Sequence, residues 1–172
     1  IITSQPDPEA NPVETSTPAP TSTLAPSPTA TPPPFSMLTG QVLASKPVTI
    51  NLYNPDDTIA VSMPANTDGT FAFTVTAGDE YKVVALAGGH LSAQAFVTTA
   101  SGNTTTLPTF TLPAGDIDSN TVIDQFDALT IGMSYNSAAP SEADLNNDGI
   151  INVLDLEILA QNYRKTGPVV WE

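Results

Sequence analysis

The sequence predicts a mainly β protein with a small α-helical end: an extended Pro/Thr-rich N-terminal arm, then a seven-stranded β-sandwich, then a duplicated loop-helix pair. Three observations carry that prediction. Ten of the 17 prolines fall in the first 34 residues. Short alternating apolar runs separated by turn residues fill residues 35–113. Two acidic twelve-residue segments, Asp116 to Asp127 and Asp144 to Asp155, repeat one pattern 28 residues apart.

Composition bounds the rest. A chain of 172 residues with no Cys and a net charge of −14 requires no disulfide and does not attract nucleic acid electrostatically. It has no apolar run long enough for a membrane span and no basic, apolar signal segment at its start.

Residues 1–34 interleave Pro with Thr and Ser, as in Thr15-Ser16-Thr17-Pro18-Ala19-Pro20, and contain no aromatic residue, Lys or Arg. Such a stretch cannot bury a core. It is expected to run as polyproline II and to accept O-glycans in a cell that makes them. It reads either as a spacer or as an ordered arm held by a neighbouring subunit. Ile1 and Ile2 are the strongly apolar residues at its start, suited to insertion beside a neighbour's sheet edge.

Residues 35–113 read as antiparallel β-structure. The expected strands are Met37 to Leu43, Val48 to Tyr53, Thr58 to Met63, Thr70 to Val75, Tyr81 to Leu86, Leu91 to Thr98 and Thr105 to Leu112. Val48, Ile50 and Leu52 alternate onto one face, as do Phe71, Phe73 and Val75. Asn54-Pro55-Asp56-Asp57, Thr67-Asp68-Gly69, Ala77-Gly78-Asp79 and Gly88-Gly89 supply turns. Seven short strands at this spacing indicate a sandwich.

The succession Leu38-Thr39-Gly40-Gln41-Val42, Val48 to Tyr53, Thr67-Asp68-Gly69-Thr70-Phe71-Ala72-Phe73 and Tyr81-Lys82-Val83-Val84-Ala85 resembles the carboxypeptidase regulatory-like family over about residues 36–112. That resemblance implies a transthyretin-like, Ig-like sandwich without catalytic residues. His90, in a turn, has no second imidazole with which to bind a transition metal. Asp56-Asp57 and Asp79-Glu80 read as solvated turn acids, and Asn103-Thr104-Thr105 matches a glycan acceptor motif. With no Cys, no His partnered to a Ser motif and no Gly-rich phosphate loop, the chain reads as non-catalytic.

In the two acidic segments, positions 1, 3, 5, 9 and 12 are Asp116, Asp118, Asn120, Asp124 and Asp127, then Asp144, Asn146, Asp148, Asn152 and Asp155. Every one offers a side-chain oxygen. A hard cation with six to eight oxygen ligands needs that convergence, together with the position-7 carbonyl of Val122 or Ile150. The expected cofactor is Ca²⁺, one ion per loop. Ile123 and Ile151 at position 8 place an apolar side chain behind each loop. Gly149 at position 6 suits a left-handed turn, whereas Thr121 at that position predicts a strained, weaker first site. Position 12 is Asp in both loops, where the helix-loop-helix motif has Glu.

Leu112-Pro113-Ala114-Gly115 admits no incoming helix, so each unit is loop then helix. The helices are expected from Asp124 to about Ser134, with Phe126, Leu129, Ile131 and Met133, and from Asn152 to about Arg164, with Val153, Leu156, Ile158, Leu159 and Tyr163. Tyr135 and Tyr163 match at the same 28-residue offset. This arrangement resembles the type I dockerin family over residues 114–166, which implies two calcium sites and a cohesin-binding face. In cellulosomal dockerins, loop positions 10 and 11 and basic residues along each helix touch the cohesin. Those places hold Gln125 and Phe126, Val153 and Leu154, Gly132 and Met133, and Ala160 and Gln161, not the hydroxyl and Lys/Arg pattern.

The expected domains are therefore residues 1–34, 35–113 and 114–166, with a tail at 167–172. Val169-Val170-Trp171 is expected to pack across the calcium module or to enter a partner's pocket. Ten of the 18 acids lie between Asp116 and Glu172, so loss of metal is expected to loosen that region. Calcium loops suit the high-calcium exterior, and a secreted or cell-surface bacterial protein with its signal peptide removed is expected. Its expected function is a structural subunit that assembles with copies of itself through the N-terminal arm. The alternative is an attachment module docking onto a cohesin-like partner.

Overall fold

The computed structural model describes Ile1, Thr3 and residues 34–172. The chain divides into two units, Ile1–Thr31 and Pro32–Glu172, and every element below belongs to the second. The arm's polyproline II conformation, its contact with a neighbour and its glycans lie outside the described residues.

Alternation builds the strands. In β4 (Thr70–Thr76) Phe71, Phe73 and Val75 are buried while their neighbours face out, and β5 (Glu80–Leu86) buries Tyr81, Val83 and Ala85 in the same way. β1 (Phe35–Leu43) pairs with β4 on one edge and, on the other, with the short strands β7 (Thr104–Thr106) and β8 (Phe110–Thr111). The second sheet runs β3 (Ile59–Pro64), β2 (Thr49–Tyr53), β5, β6 (Ala93–Thr98), β9 (Val169–Val170). One apolar core joins the sheets, taking Leu38 and Val42 from β1, Ile50 and Leu52 from β2, and the inner residues of β4, β5 and β6.

Turn chemistry fixes the register. The Asp68 carboxylate accepts from the Thr70 amide at 3.0 Å and the Thr70 hydroxyl at 2.7 Å, and Asp56 does the same for Thr58. Those hydroxyl bonds, followed by the amide bonds, hold both carboxyls below the usual Asp range.

Three features correct the expected sandwich. The pairs β1–β7, β1–β8 and β6–β9 are parallel, so the fold is not wholly antiparallel. The run from Thr105 to Leu112 is not one strand. Pro108 has no N–H for the ladder, and the chain breaks into β7 and β8 around it. The tail also supplies a strand, giving nine among the described residues rather than seven.

Trp171 lies neither across the acidic loops nor on the surface. It is 2 % exposed inside the sandwich core. Its ring meets Phe71 edge-on at 5.8 Å and Phe110 at 6.0 Å, and its indole N–H donates to the Pro108 carbonyl at 2.8 Å.

After β8 the chain forms a second core around α1 (Gln125–Met133) and α2 (Val153–Asn162). Ile117, Ile123, Ile131, Leu145, Ile151 and Leu159 fill it, and Leu91 reaches in from the sandwich. Gly89 makes that approach possible: a Cβ there would stand 2.3 Å from the Glu142 carbonyl oxygen. Its φ of +69° is also one that L residues avoid. The two regions thus pack along the turn before β6, at Ala114, and through β9.

Candidate metal centre

Each acidic loop feeds directly into a helix because its ninth residue is the N-cap. The Asp124 carboxylate accepts from the Phe126 amide at 2.7 Å, and the Asn152 side-chain oxygen accepts from the Leu154 amide at 2.8 Å. The twelfth residue closes each loop from inside. Asp127 accepts from the amides of Ile117 at 2.7 Å, Asp118 at 3.2 Å and Asp124 at 2.8 Å. Asp155 repeats the arrangement with Leu145, Asn146 and Asn152 at 2.7, 3.1 and 2.8 Å. Both carboxylates are fully buried.

Each loop also crosses to the segment that follows the other loop's helix. Ile151 exchanges backbone hydrogen bonds with Asn136 and Ser137, after α1, and Ile123 does so with Arg164 and Lys165, after α2. Both isoleucines are fully buried in the second core.

Oxygen atoms gather in the first loop. One carboxylate oxygen from each of Asp116, Asp118 and Asp127 lies within 4.8 Å of the others. Asp118 accepts from the Asn120 amide at 3.1 Å and its side-chain nitrogen at 3.0 Å, and the Asn120 side-chain oxygen accepts from Val122. Asp124 stands outside the three-carboxylate cluster, at the helix cap. Asp116 is 5 % exposed, and its Oδ1 is the one buried side-chain polar atom without a hydrogen-bond partner among the described residues. Burial, then the negative charges of Asp127 and Asp118, push the Asp116 carboxyl up. A buried carboxylate oxygen with no donor, facing two further carboxylates, has the electrostatics of a cation ligand.

The second loop is built from less charge. Asn146 and Asn152 stand where the first loop has Asp118 and Asp124. Asp144 accepts from Asp148 at 3.1 Å and Gly149 at 2.9 Å, and Asp148 accepts from Ile150 at 3.0 Å and the Asn146 side-chain nitrogen at 2.8 Å. The Ile150 carbonyl accepts from the Asn152 side chain at 3.2 Å. Position 6 is left-handed in both loops, with φ +70° at Thr121 and +91° at Gly149.

Sequence reasoning missed one participant. Lys46, in the turn between β1 and β2, donates to the Asn147 side-chain oxygen at 2.8 Å and lies 3.9 Å from the Asp144 carboxylate. Contact across 101 residues leaves no local pattern to read.

The donor set is all oxygen: carboxylates, amide oxygens and carbonyls, with no thiolate or imidazole. That chemistry suits Ca²⁺ over softer metals, and the orphaned Asp116 oxygen fits it. A bound ion would neutralise charge in the loop and brace the start of the helix that follows it. Beside the loops, α1 exposes Phe126, Leu129 and Met133, and α2 exposes Val153, Leu154 and Leu156. No described helix is long and apolar enough to cross a membrane.

Residues 114–163 match the Dockerin type I domain family. No curated protein matches the chain. Two solved structures from Acetivibrio cellulolyticus are similar in fold, an N-terminal and a C-terminal interface mutant of a type II Cohesin-X-Dockerin complex. Their TM-scores are 0.60 and 0.59, and each is 19% identical, covering 76% of this chain and 97% of that chain. The family match spans less than a third of the chain, so the shared fold takes in the sandwich as well as the helical region.

Proposed function

We propose that the chain is a non-catalytic docking unit, in which the helical region binds a cohesin-like partner and the sandwich serves as its fixed platform. The observation that carries this reading is the set of exposed apolar side chains on α1 and α2 within the dockerin-matching residues. Phe126, Met133 and Val153 are 56%, 80% and 59% exposed, and Leu129, Leu154 and Leu156 on the same two helices are exposed as well. The partner surface is correspondingly apolar, replacing the hydroxyl and Lys/Arg contacts of cellulosomal dockerins. The likeness to chains from Cohesin-X-Dockerin complexes favours docking over the self-assembling subunit expected from the N-terminal arm.

Two calcium ions hold the docking face, one ligated by Asp116, Asp118, Asn120, Val122, Asp124 and Asp127, the other by Asp144, Asn146, Asp148, Ile150, Asn152 and Asp155. Extracellular or cell-surface residence follows from that calcium requirement, and the sandwich keeps the carboxypeptidase regulatory-like role of a support without chemistry.

The test is calorimetric titration of a panel of type I and type II cohesins into the chain, with Ca²⁺ and with chelator. Binding is expected only with Ca²⁺, and Phe126→Ala should weaken it by at least about tenfold, the loss typical of an interface anchor. Calcium-independent binding, or no binding to any cohesin beside self-association in light scattering, overturns the reading.

A further inference from the structure

The two loops differ in one respect that the 28-residue repeat does not contain. The second has a cation of the protein's own beside its first ligand position. Lys46 is one of four Lys and Arg residues in a chain of net charge −14. Its side chain and that of Asp144 are only 11% and 7% exposed. The turn that carries it is fastened: the Ser45 hydroxyl lies 3.3 Å from His90 Nε2, and His90 Nδ1 lies 2.8 Å from the Gly88 carbonyl oxygen. The only other ion pair among the described residues, Lys82 with Asp57, is on the sandwich, and none reaches the first loop.

We propose that Lys46 tunes the second calcium loop from the sandwich, lowering its affinity for Ca²⁺ while holding it in shape when metal is scarce. This rests on the calcium reading above. Asp144 stands at loop position 1, and a dication there would share that carboxylate with the ammonium. The two cations would repel each other across a carboxylate that is itself largely shielded from water. Without metal the sign reverses. Lys46 then offsets part of the repulsion among Asp144, Asp148 and Asp155 and ties the loop to the sandwich through Asn147. Because such coupling is reciprocal, Ca²⁺ at the second loop weakens the hold of Lys46 by the same factor by which Lys46 weakens Ca²⁺.

The test is calcium titration calorimetry on the full chain and on K46M, K46R and K82M, with the second-loop isotherm identified as the one lost in D155A. K46M is expected to tighten the second site by about tenfold at low ionic strength, less in added salt. K46R should stay near the unsubstituted chain, which separates charge from packing. K82M alters net charge by the same amount away from both loops and should leave the second site unchanged. In chelator, K46M should melt at a lower temperature than the unsubstituted chain, so that one substitution moves affinity and metal-free stability in opposite directions. Unchanged or weaker second-site binding in K46M, or equal tightening in K82M, overturns the proposal while the calcium reading stands. An unsubstituted chain that binds no Ca²⁺ overturns both. Should K46M fail to fold, K46Q supplies the same neutral side-chain test.

Discussion

At the residue scale, Thr121 exposes a conflict between side chain and backbone. A β-branched residue at φ +70° stands where its repeat partner is glycine at +91°. The left-handed conformation costs an L residue roughly 1–2 kcal/mol, partly offset because glycine loses more freedom on folding. Thr121→Gly is therefore expected to stabilise the first loop by about 1 kcal/mol, read as a higher melting temperature and tighter binding of one calcium ion. A decrease in both would mean that the threonine side chain makes a compensating contact. His90 sets a different kind of limit. Burial holds its imidazole below the ordinary value of 6.5, the bond to Gly88 opposing and Lys46 adding to the effect. The unfolded chain thus takes up the proton first. Stability contributed by neutral His90 is complete above about pH 6.5 and is lost as pH falls from there through the lowered folded pKa. Urea midpoints in saturating Ca²⁺ should fall below that pH, and His90→Gln should flatten the slope; an unchanged slope would place the titrating group elsewhere.

At the element scale, the two-residue strand β9 depends on its neighbour Trp171. Trp171→Ala removes a buried ring and its bond to Pro108, a loss of about 3–5 kcal/mol. Thermal denaturation should show that drop, and a small effect would show that the sandwich closes without its tail. This element also marks where sequence reading ends. The loop-then-helix order was legible because each acidic pattern falls within twelve residues and contains the helix cap, Asp124 or Asn152. The strands β2, β4 and β5 were legible through alternation. Two residues have no period, so Val169 and Val170 could not announce a strand, and their pairing with Ala93 and Gln94 is fixed by the folded body. The same holds for Lys46, whose partner Asn147 lies in another region, and for the break at Pro108, where only the parallel course along β1 reveals two strands.

At the scale of the whole molecule, two cores with different requirements share one body. Among the described residues the sandwich buries no carboxylate, while the helical core lies behind loops crowded with them. On heating in chelator, the helical circular dichroism of α1 and α2 is therefore expected to be lost at a lower temperature than the buried-indole emission of Trp171, the sole tryptophan. Simultaneous loss of both signals would make the cores one cooperative unit. The connection between them is double. The chain leaves the sandwich through Leu112 and Pro113, and it returns to the same body when Val169 and Val170 join β6 and Trp171 enters the core. A helical region hung from a single strand would swivel under load. Anchored at both its entrance and its exit, it resists torque, and tension applied to α1 and α2 divides between two strands. The structure behaves mechanically as a braced joint in place of a hinge.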